Sequence, residues 1–196
     1  MSWTQTATGR RVDFLNPDPK QIDLGDMARA LGGACRYVGG TTKHYSVAEH
    51  SCRISGLLRD KGAPLREILA GHFHDAPEAY MGDIPFPLKQ AMPEAVRHWY
   101  RTVENRLATA IEVALDLPVG LITAPPQRVK DLDATIVVSE RNQLLNLGGQ
   151  VSFDGWYTPG SPDDYWPQAR CRERDAAASV WLQDAHEYLK LWQDLK

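Results

Sequence analysis

The sequence has few cysteines, only three among 196 residues, and they are widely scattered. Cys35, Cys52 and Cys171 show no CxxC spacing, and their odd number leaves one thiol over in any disulfide scheme. This pattern indicates neither a disulfide framework nor a thiolate zinc site. We therefore expect three small, buried thiols in a reducing compartment.

The sequence also lacks a basic excess and a long apolar run. A formal net charge of -3 gives no overall attraction to a nucleic acid polymer. No stretch approaches the roughly 20 apolar residues that cross a bilayer, and residues 1–11 lack the apolar centre of a signal peptide. We expect a cytoplasmic protein that binds neither nucleic acid polymers nor membranes.

Internal repeats, low-complexity tracts and glycine-rich phosphate loops are absent as well. Apolar residues make up 43% of the chain and charged residues 24%, which is typical of a globular protein. A chain of 196 residues is long enough to bury one core without disulfides or metals. The sequence therefore predicts a single domain over residues 1–196.

Apolar residues recur at helical spacing along most of the chain. Prolines stand near three predicted helix starts, at Pro64, Pro93 and Pro125, and Ser46 with Glu49 fits a capping box at another. The predicted helices cover residues 23–31, 47–58, 65–73, 96–115, 129–144 and 172–195. These patterns predict an all-α fold, a globular multi-helix bundle.

Three other segments are predicted to be non-helical. Beta-prone residues on both sides of Gly9 predict a small N-terminal β-hairpin. Residues 72–83 are predicted to form a helix end and the loop beyond it. Residues 148–167, rich in Gly, Pro, Asp and aromatics, predict a long ordered loop that would serve as a lid, an oligomer contact or a connection only.

Metal-type ligands stand in three distant segments where a structural helix would prefer apolar side chains. They are His50, the pair His74 and Asp75, and Asp133. A carboxylate on a buried stripe is costly unless it is paired or binds a cation, and facing helices of a bundle often build such sites. The four residues predict a site for one divalent ion, and imidazole with carboxylate suits Co, Mn, Zn, Ni or Fe.

His72 is an alternative ligand to His74. At 100° per residue, His72 follows the apolar stripe of Leu65 and Leu69, whereas His74 does not. A single histidine on such a stripe is more often a core residue. We expect His72 in the core and His74 at the site.

These residues belong to segments that, taken together, resemble one enzyme family. The segments are YSVAEHS (45–51), HDAPE (74–78), GDIP (82–85) with Lys89, and KDLD (130–133). In this combination and spacing they are similar to the HD-domain phosphohydrolases, in particular the 5′-deoxynucleotidases and the phage-type dATP triphosphohydrolases. The resemblance covers about residues 27–140 and implies an HD-domain bundle.

The resemblance implies a role for each matching residue. It assigns the metal to His50, His74, Asp75 and Asp133, the four selected above, and acid/base catalysis to Glu78 and Asp83. It assigns the substrate phosphate to Arg36 and the adjoining aromatic position to Tyr37, where the family usually has tryptophan. It also implies a basic group at Lys43, although a solvated surface lysine explains that residue equally well.

The implied reaction is metal-dependent hydrolysis of the 5′-phosphate, or the triphosphate, of a 2′-deoxynucleotide. The opening residues 3–10 and the segment 45–51 look like the phage members of the family, which favours dAMP or dATP. The partner is then a small nucleotide. Relatives are often homo-oligomers, and the apolar side of residues 96–115 would serve such an assembly, while a core role explains the same stripe.

Two other functions remain open. HD-type di-iron oxygenases use further histidines between the HD pair and the last aspartate, and His98 is the sole histidine in that interval. A catalytically inactive nucleotide-sensing module would keep the bundle without turnover, although such modules usually lose ligands. Glu140 lies two turns beyond Asp133 on the same face and either supports the site or marks the edge of the bundle.

Overall fold

The computed structural model describes residues 1–145 and 168–196, so the loop predicted at 148–167 lies outside the described residues. Trp3–Gln5 (β1) and Arg11–Asp13 (β2) form the predicted antiparallel hairpin. The helices of the described ranges are α1 (Leu24–Gly33), α2 (Val47–Asp60), α3 (Leu65–Phe73), α4 (Glu78–Met81), α5 (Phe86–Ala91), α6 (Glu94–Ala114), α7 (Gln127–Leu144) and α8 (Arg174–Asp194). The all-α prediction is confirmed.

The core lies where α1, α2, α3 and α8 pack together. Two glycines permit the close approach. A Cβ on Gly32 would lie 2.6 Å from the Arg174 carbonyl oxygen of α8, and one on Gly71 would lie 2.6 Å from the Leu58 side chain of α2. Trp181 of α8 is fully buried in this core. The apolar stripes of the sequence thus meet as predicted.

The start of α2 confirms half of the predicted capping box. The Ser46 Oγ accepts a hydrogen bond from the Glu49 amide at 3.2 Å. The Glu49 carboxylate does not complete the box, because it accepts hydrogen bonds from three successive backbone amides, at residues 170–172, over 2.5 to 2.9 Å. Glu49 is 1% exposed, so this buried contact fixes the segment that leads into α8 against α2.

The segment after α3 differs from the predicted loop. Pro77 begins a single helical turn, α4, which ends at Gly82 with a φ of 75°. This turn places Glu78 and Tyr80 inside the protein. In the described ranges, no helix combines the length and the apolar character that crossing a membrane requires.

His72 is a core residue, as predicted. It is fully buried, and its ring stacks on Trp181 with centroids 4.8 Å apart. Burial lowers the pKa of His72 to about 3, so the ring is neutral at physiological pH. His72 and His74 therefore face different surroundings although they are two residues apart.

Candidate metal centre

The four predicted metal ligands lie close together between α2, the end of α3 and α7: His50, His74 and Asp133 each offer a ligand atom within 4.8 Å of the other two, and Asp75 approaches the two histidines. The Nε2 of His50 lies 3.1 Å from Asp133 Oδ1 and 3.6 Å from Asp75 Oδ2. The Nε2 of His74 lies 3.1 Å from Asp75 Oδ2 and 3.9 Å from Asp133 Oδ1. Residues separated by up to 83 positions in the chain thus present their ligand atoms to one another.

These distances fit a bound divalent ion. Bonds of about 2.1 Å from a metal to nitrogen or oxygen place neighbouring ligand atoms roughly 3.0–3.4 Å apart. Two of the four separations, both 3.1 Å, lie in that range, and the other two, 3.6 and 3.9 Å, are longer. Two imidazoles and two carboxylates also form a donor set that transition metals accept.

The ring nitrogen of His74 supplies an independent observation. His74 Nδ1 lies 3.0 Å from the Gly71 carbonyl oxygen, which requires a proton on Nδ1 and leaves a lone pair on Nε2 of the neutral ring. In the described ranges, the buried Nε2 has no partner with hydrogen-bond geometry. The groups that face Nε2 are the carboxylates of Asp75 and Asp133, so a proton on Nε2 or a cation coordinated by its lone pair would remove the cost of burying this nitrogen.

The electrostatics of the centre favour a positive charge. Burial opposes protonation of His74, but Asp75 and Asp133 raise its pKa to about 9. Burial likewise opposes ionisation of Asp75, but His74 and other cationic groups hold its pKa well below the usual range. The carboxylates therefore stabilise a cation at this point, which either a proton or a metal ion supplies.

The centre is closed on one side and open on the other. The side chain of His50 is 0% exposed and that of His74 is 7% exposed. Exposure of the side chain rises to 20% at Asp75 and 42% at Asp133. A ligand can therefore reach the centre from the side of Asp133.

Glu140 orients His50 from the closed side. Its Oε1 accepts hydrogen bonds from His50 Nδ1 and from the Tyr45 hydroxyl, both at 2.7 Å. Its Oε2 accepts from the Tyr37 hydroxyl at 2.8 Å and from Arg36 Nε at 3.3 Å. Burial opposes its ionisation, but Arg36 and His50 hold the pKa of Glu140 well below its usual range. A carboxylate on Nδ1 is the support that metal-binding histidines commonly have, and it leaves Nε2 free for the ion.

Replacement of Glu140 by glutamine is expected to weaken metal binding by about 10-fold to 100-fold. The amide keeps the size of the side chain but loses the charge that orients His50 and offsets Arg36. Isothermal titration of the metal-stripped protein would measure the change. Glu112 is a matched control, because this buried glutamate accepts hydrogen bonds from the amides of Gly120 and Ile122 and none from the centre. Glu112→Gln should lower the melting temperature without changing metal affinity, and a Glu140→Gln protein with unchanged affinity would contradict the assigned support.

Arg36 and Tyr37 lie beside the centre. The Arg36 guanidinium is 3.6 Å from Asp75 Oδ2, which places a fixed positive charge next to the proposed ligands. Tyr37 and Val38 adopt left-handed backbone conformations, with φ of 56° and 57°, which is strained for residues other than glycine. The hydrogen bond from the Tyr37 hydroxyl to Glu140 helps to stabilise this bend. The predicted contact of Tyr37 with a substrate therefore stays a prediction, while its contact with Glu140 is present.

Glu78 and Asp83 form an acidic pair near the proposed ligands. Burial raises the pKa of Glu78 well above its usual value, and the negative charges of Asp75 and Asp83 add to this effect. Burial and the charge of Asp75 raise the pKa of Asp83. The Oε2 of Glu78 is buried and has no hydrogen-bond partner in the described part of the chain. Glu78 thus offers an accepting oxygen.

Lys89 of α5 lies beside this pair. Its Nζ is 3.7 Å from Glu78 Oε1 and 3.9 Å from Glu104 Oε1. Lys89 belongs to the segments that carry the family resemblance, but no role was predicted for it. Support of the site by Glu140 was one of two alternatives that its i, i+7 spacing from Asp133 left open, and no role was predicted for Tyr45.

Lys43 and His98 are not brought to the centre. The Lys43 side chain is exposed, and its charge acts on Cys171 instead. Its predicted contact with a phosphate stays a prediction. His98 is exposed on α6, where its carbonyl oxygen accepts a hydrogen bond from Thr102.

Comparison with known proteins identifies relatives of this chain. No family model matches the sequence. The chain is 33% identical to the uncharacterized protein RCAP_rcc00048 of Rhodobacter capsulatus over 166 residues, which cover 83% of this chain and 81% of the relative. It is 31% identical to the uncharacterized protein YfdR of Escherichia coli K12 over 144 residues, which cover 74% and 73% of the two chains. The chain therefore belongs to the same protein family as RCAP_rcc00048 and YfdR.

Proposed function

We propose that the chain is an HD-type metal-dependent phosphohydrolase that acts on the 5′-phosphate or triphosphate of a 2′-deoxynucleotide. One observation carries the proposal: the ligand atoms of His50, His74 and Asp133 lie within 4.8 Å of one another, with Asp75 Oδ2 beside both histidines, at a place that is open to solvent at Asp133. Around that point stand a fixed guanidinium and two carboxyl groups. This arrangement supplies what phosphoryl transfer to water requires.

The bound divalent ion would polarise the phosphoryl group and lower the pKa of a water molecule. Arg36 would offset negative charge on the phosphate oxygens, because Glu140 and Asp75 hold its guanidinium in place. Lys89 would add a second positive charge on the side of Glu78. The orientation of these two side chains before substrate arrives reduces the reorganisation that the reaction needs.

Two carboxyl groups would move the protons. Glu78 accepts a proton from the attacking water, whose oxygen forms the new bond to phosphorus. Asp83 donates a proton to the leaving oxygen as the old phosphorus–oxygen bond breaks. A carboxyl group whose pKa is raised is both a better base when ionised and more often protonated, so burial suits Glu78 and Asp83 to these roles. Exchange of one proton with solvent restores the starting state.

Product analysis tests the proposal. Metal-stripped protein is incubated with dAMP, dATP and AMP in the presence of Mn, Co, Ni, Zn or Mg in turn. Deoxynucleoside and phosphate from dAMP would identify a 5′-deoxynucleotidase, and triphosphate from dATP a triphosphohydrolase. Tight nucleotide binding without product under every condition would instead favour the sensing module, and turnover that needs dioxygen and two irons per chain would favour the oxygenase.

A further inference from the structure

A second group of metal-type ligands lies between α2, α3 and α8. The Sγ of Cys52, a ring nitrogen of His72 and a carboxylate oxygen of Asp184 lie within 4.8 Å of one another. We propose that these three residues bind a structural zinc ion, separate from the centre formed by His50, His74, Asp75 and Asp133. This inference does not depend on the proposed reaction.

The orientation of His72 prepares it as a ligand. Its Nε2 lies 3.1 Å from the Trp181 carbonyl oxygen, which can only accept, so Nε2 carries the proton of the neutral ring. The lone pair is therefore on Nδ1. A metal-binding histidine commonly donates its other ring N–H to a carbonyl or a carboxylate, and Trp181 provides that support here.

The Ser55 hydroxyl is the polar group that faces this lone pair. The Ser55 Oγ lies 3.3 Å from His72 Nδ1, and it also lies 3.3 Å from the Cys52 carbonyl oxygen. A hydroxyl has one proton, which either of these two acceptors can take. A metal ion on Nδ1, on the side of Cys52 and Asp184, would replace the Ser55 contact, and the hydroxyl would keep its bond to the Cys52 carbonyl.

The donor set selects the metal. A thiolate, an imidazole and a carboxylate are soft and intermediate ligands that favour zinc over magnesium or calcium. The two anionic ligands offset the charge of a divalent ion. Zinc requires four ligands, and the partial exposure of Cys52 and Asp184 leaves room for a water molecule as the fourth.

The position of the group suggests what the ion does. Cys52, His72 and Asp184 come from three helices of the core, and Asp184 lies at the middle of α8. An ion that binds only the folded chain stabilises it by mass action. Zinc at this point would join the C-terminal helix to the two helices that carry His50 and His74.

Cobalt substitution tests this proposal, because sulfur occurs among the ligands of this site and not among those of the first. Metal-stripped, reduced full-length protein is titrated anaerobically with Co²⁺ while the near-ultraviolet thiolate-to-cobalt charge-transfer absorption is recorded. We expect the absorption to saturate by two equivalents per chain, because the first centre also binds Co²⁺, and by one equivalent in Asp133→Ala. It should disappear in Cys52→Ser and persist in Cys35→Ser and Cys171→Ser. The Asp133→Ala variant should keep it, since that change affects the first centre alone.

Zinc affinity supplies a second readout. In a competition assay with a chromophoric chelator, Asp184→Asn should weaken zinc binding by about 10-fold to 100-fold. Asp175, exposed near the start of the same helix, is the matched control, and Asp175→Asn should leave the affinity unchanged. Circular dichroism would check that each variant is folded, and an unfolded Cys52→Ser protein would leave the decision to Asp184→Asn. Absence of charge-transfer absorption in the wild-type protein, or zinc affinity unchanged by Asp184→Asn, overturns the proposal.

Discussion

Replacement of Asp133 by alanine is expected to abolish metal binding at the first centre and activity together. Loss of the ion removes several kcal/mol of transition-state stabilisation, which corresponds to a fall in kcat/KM of about 10³-fold to 10⁴-fold. The substitution should leave the fold intact, because the side chain is 42% exposed and its close polar contacts are with His50 and His74, two of the proposed ligands. Metal analysis of the gel-filtered protein and the phosphate-release assay would measure the two effects.

Asp131 provides the matched control for this prediction. It lies two residues before Asp133 on α7, is exposed, and accepts a hydrogen bond from Gln127 of the same helix. Asp131→Ala removes the same chemical group from the same helix and should retain both metal and activity. An Asp133→Ala protein that keeps its ion and its turnover would show that the residue is not a ligand.

Replacement of Glu78 by glutamine is expected to reduce kcat while metal binding is retained. General acid–base catalysis typically contributes 10²-fold to 10⁴-fold, and glutamine keeps the shape of the side chain while it loses the ability to accept the proton. We expect a fall in kcat of about this size with unchanged metal affinity. Single-turnover kinetics with saturating metal would measure the chemical step directly.

The Glu104→Gln variant tests whether the effect of Glu78→Gln comes from the loss of a base or from a disturbed Lys89. Both glutamates approach the Lys89 ammonium, at 3.7 Å from Glu78 and 3.9 Å from Glu104. Glu104→Gln removes the second contact alone and should change kcat by less than about tenfold. Equal losses in the two variants would mean that Lys89, rather than proton transfer to Glu78, accounts for the effect.

Much of the fold follows from local signals in the sequence. Helices α2, α6 and α7 have Ser46, Pro93 and Pro126 as their N-cap residues, so capping and proline chemistry mark the starts. The apolar stripe also indicated that His72 is a core residue, because the position of a residue on a stripe depends on one helix alone. His74 leaves the stripe because it lies about 200° around the helix from His72, and its backbone at the C-cap is still helical.

The remaining features depend on contacts between distant residues, which local patterns do not encode. The spacing of Glu49 suggested a capping box, but its buried carboxylate binds the amides of residues 170–172 instead, because three donors offset the cost of burying the charge better than one. The role of Glu140 depends on residues 90 to 104 positions away. The group of Cys52, His72 and Asp184 is assembled in the same way, so the scattered cysteines of the sequence gave no sign of it.

The contact between Glu49 and residues 170–172 also has a consequence for biosynthesis. It joins positions 121 to 123 residues apart, and contacts of such separation form late because a long loop must close first. A nascent chain that has emerged only as far as α7 already carries every proposed ligand of the first centre. It still lacks the segment that covers α2, so a premature stop codon after Asp133 would yield a polypeptide with a full set of ligands and an incomplete core for cellular proteases to degrade.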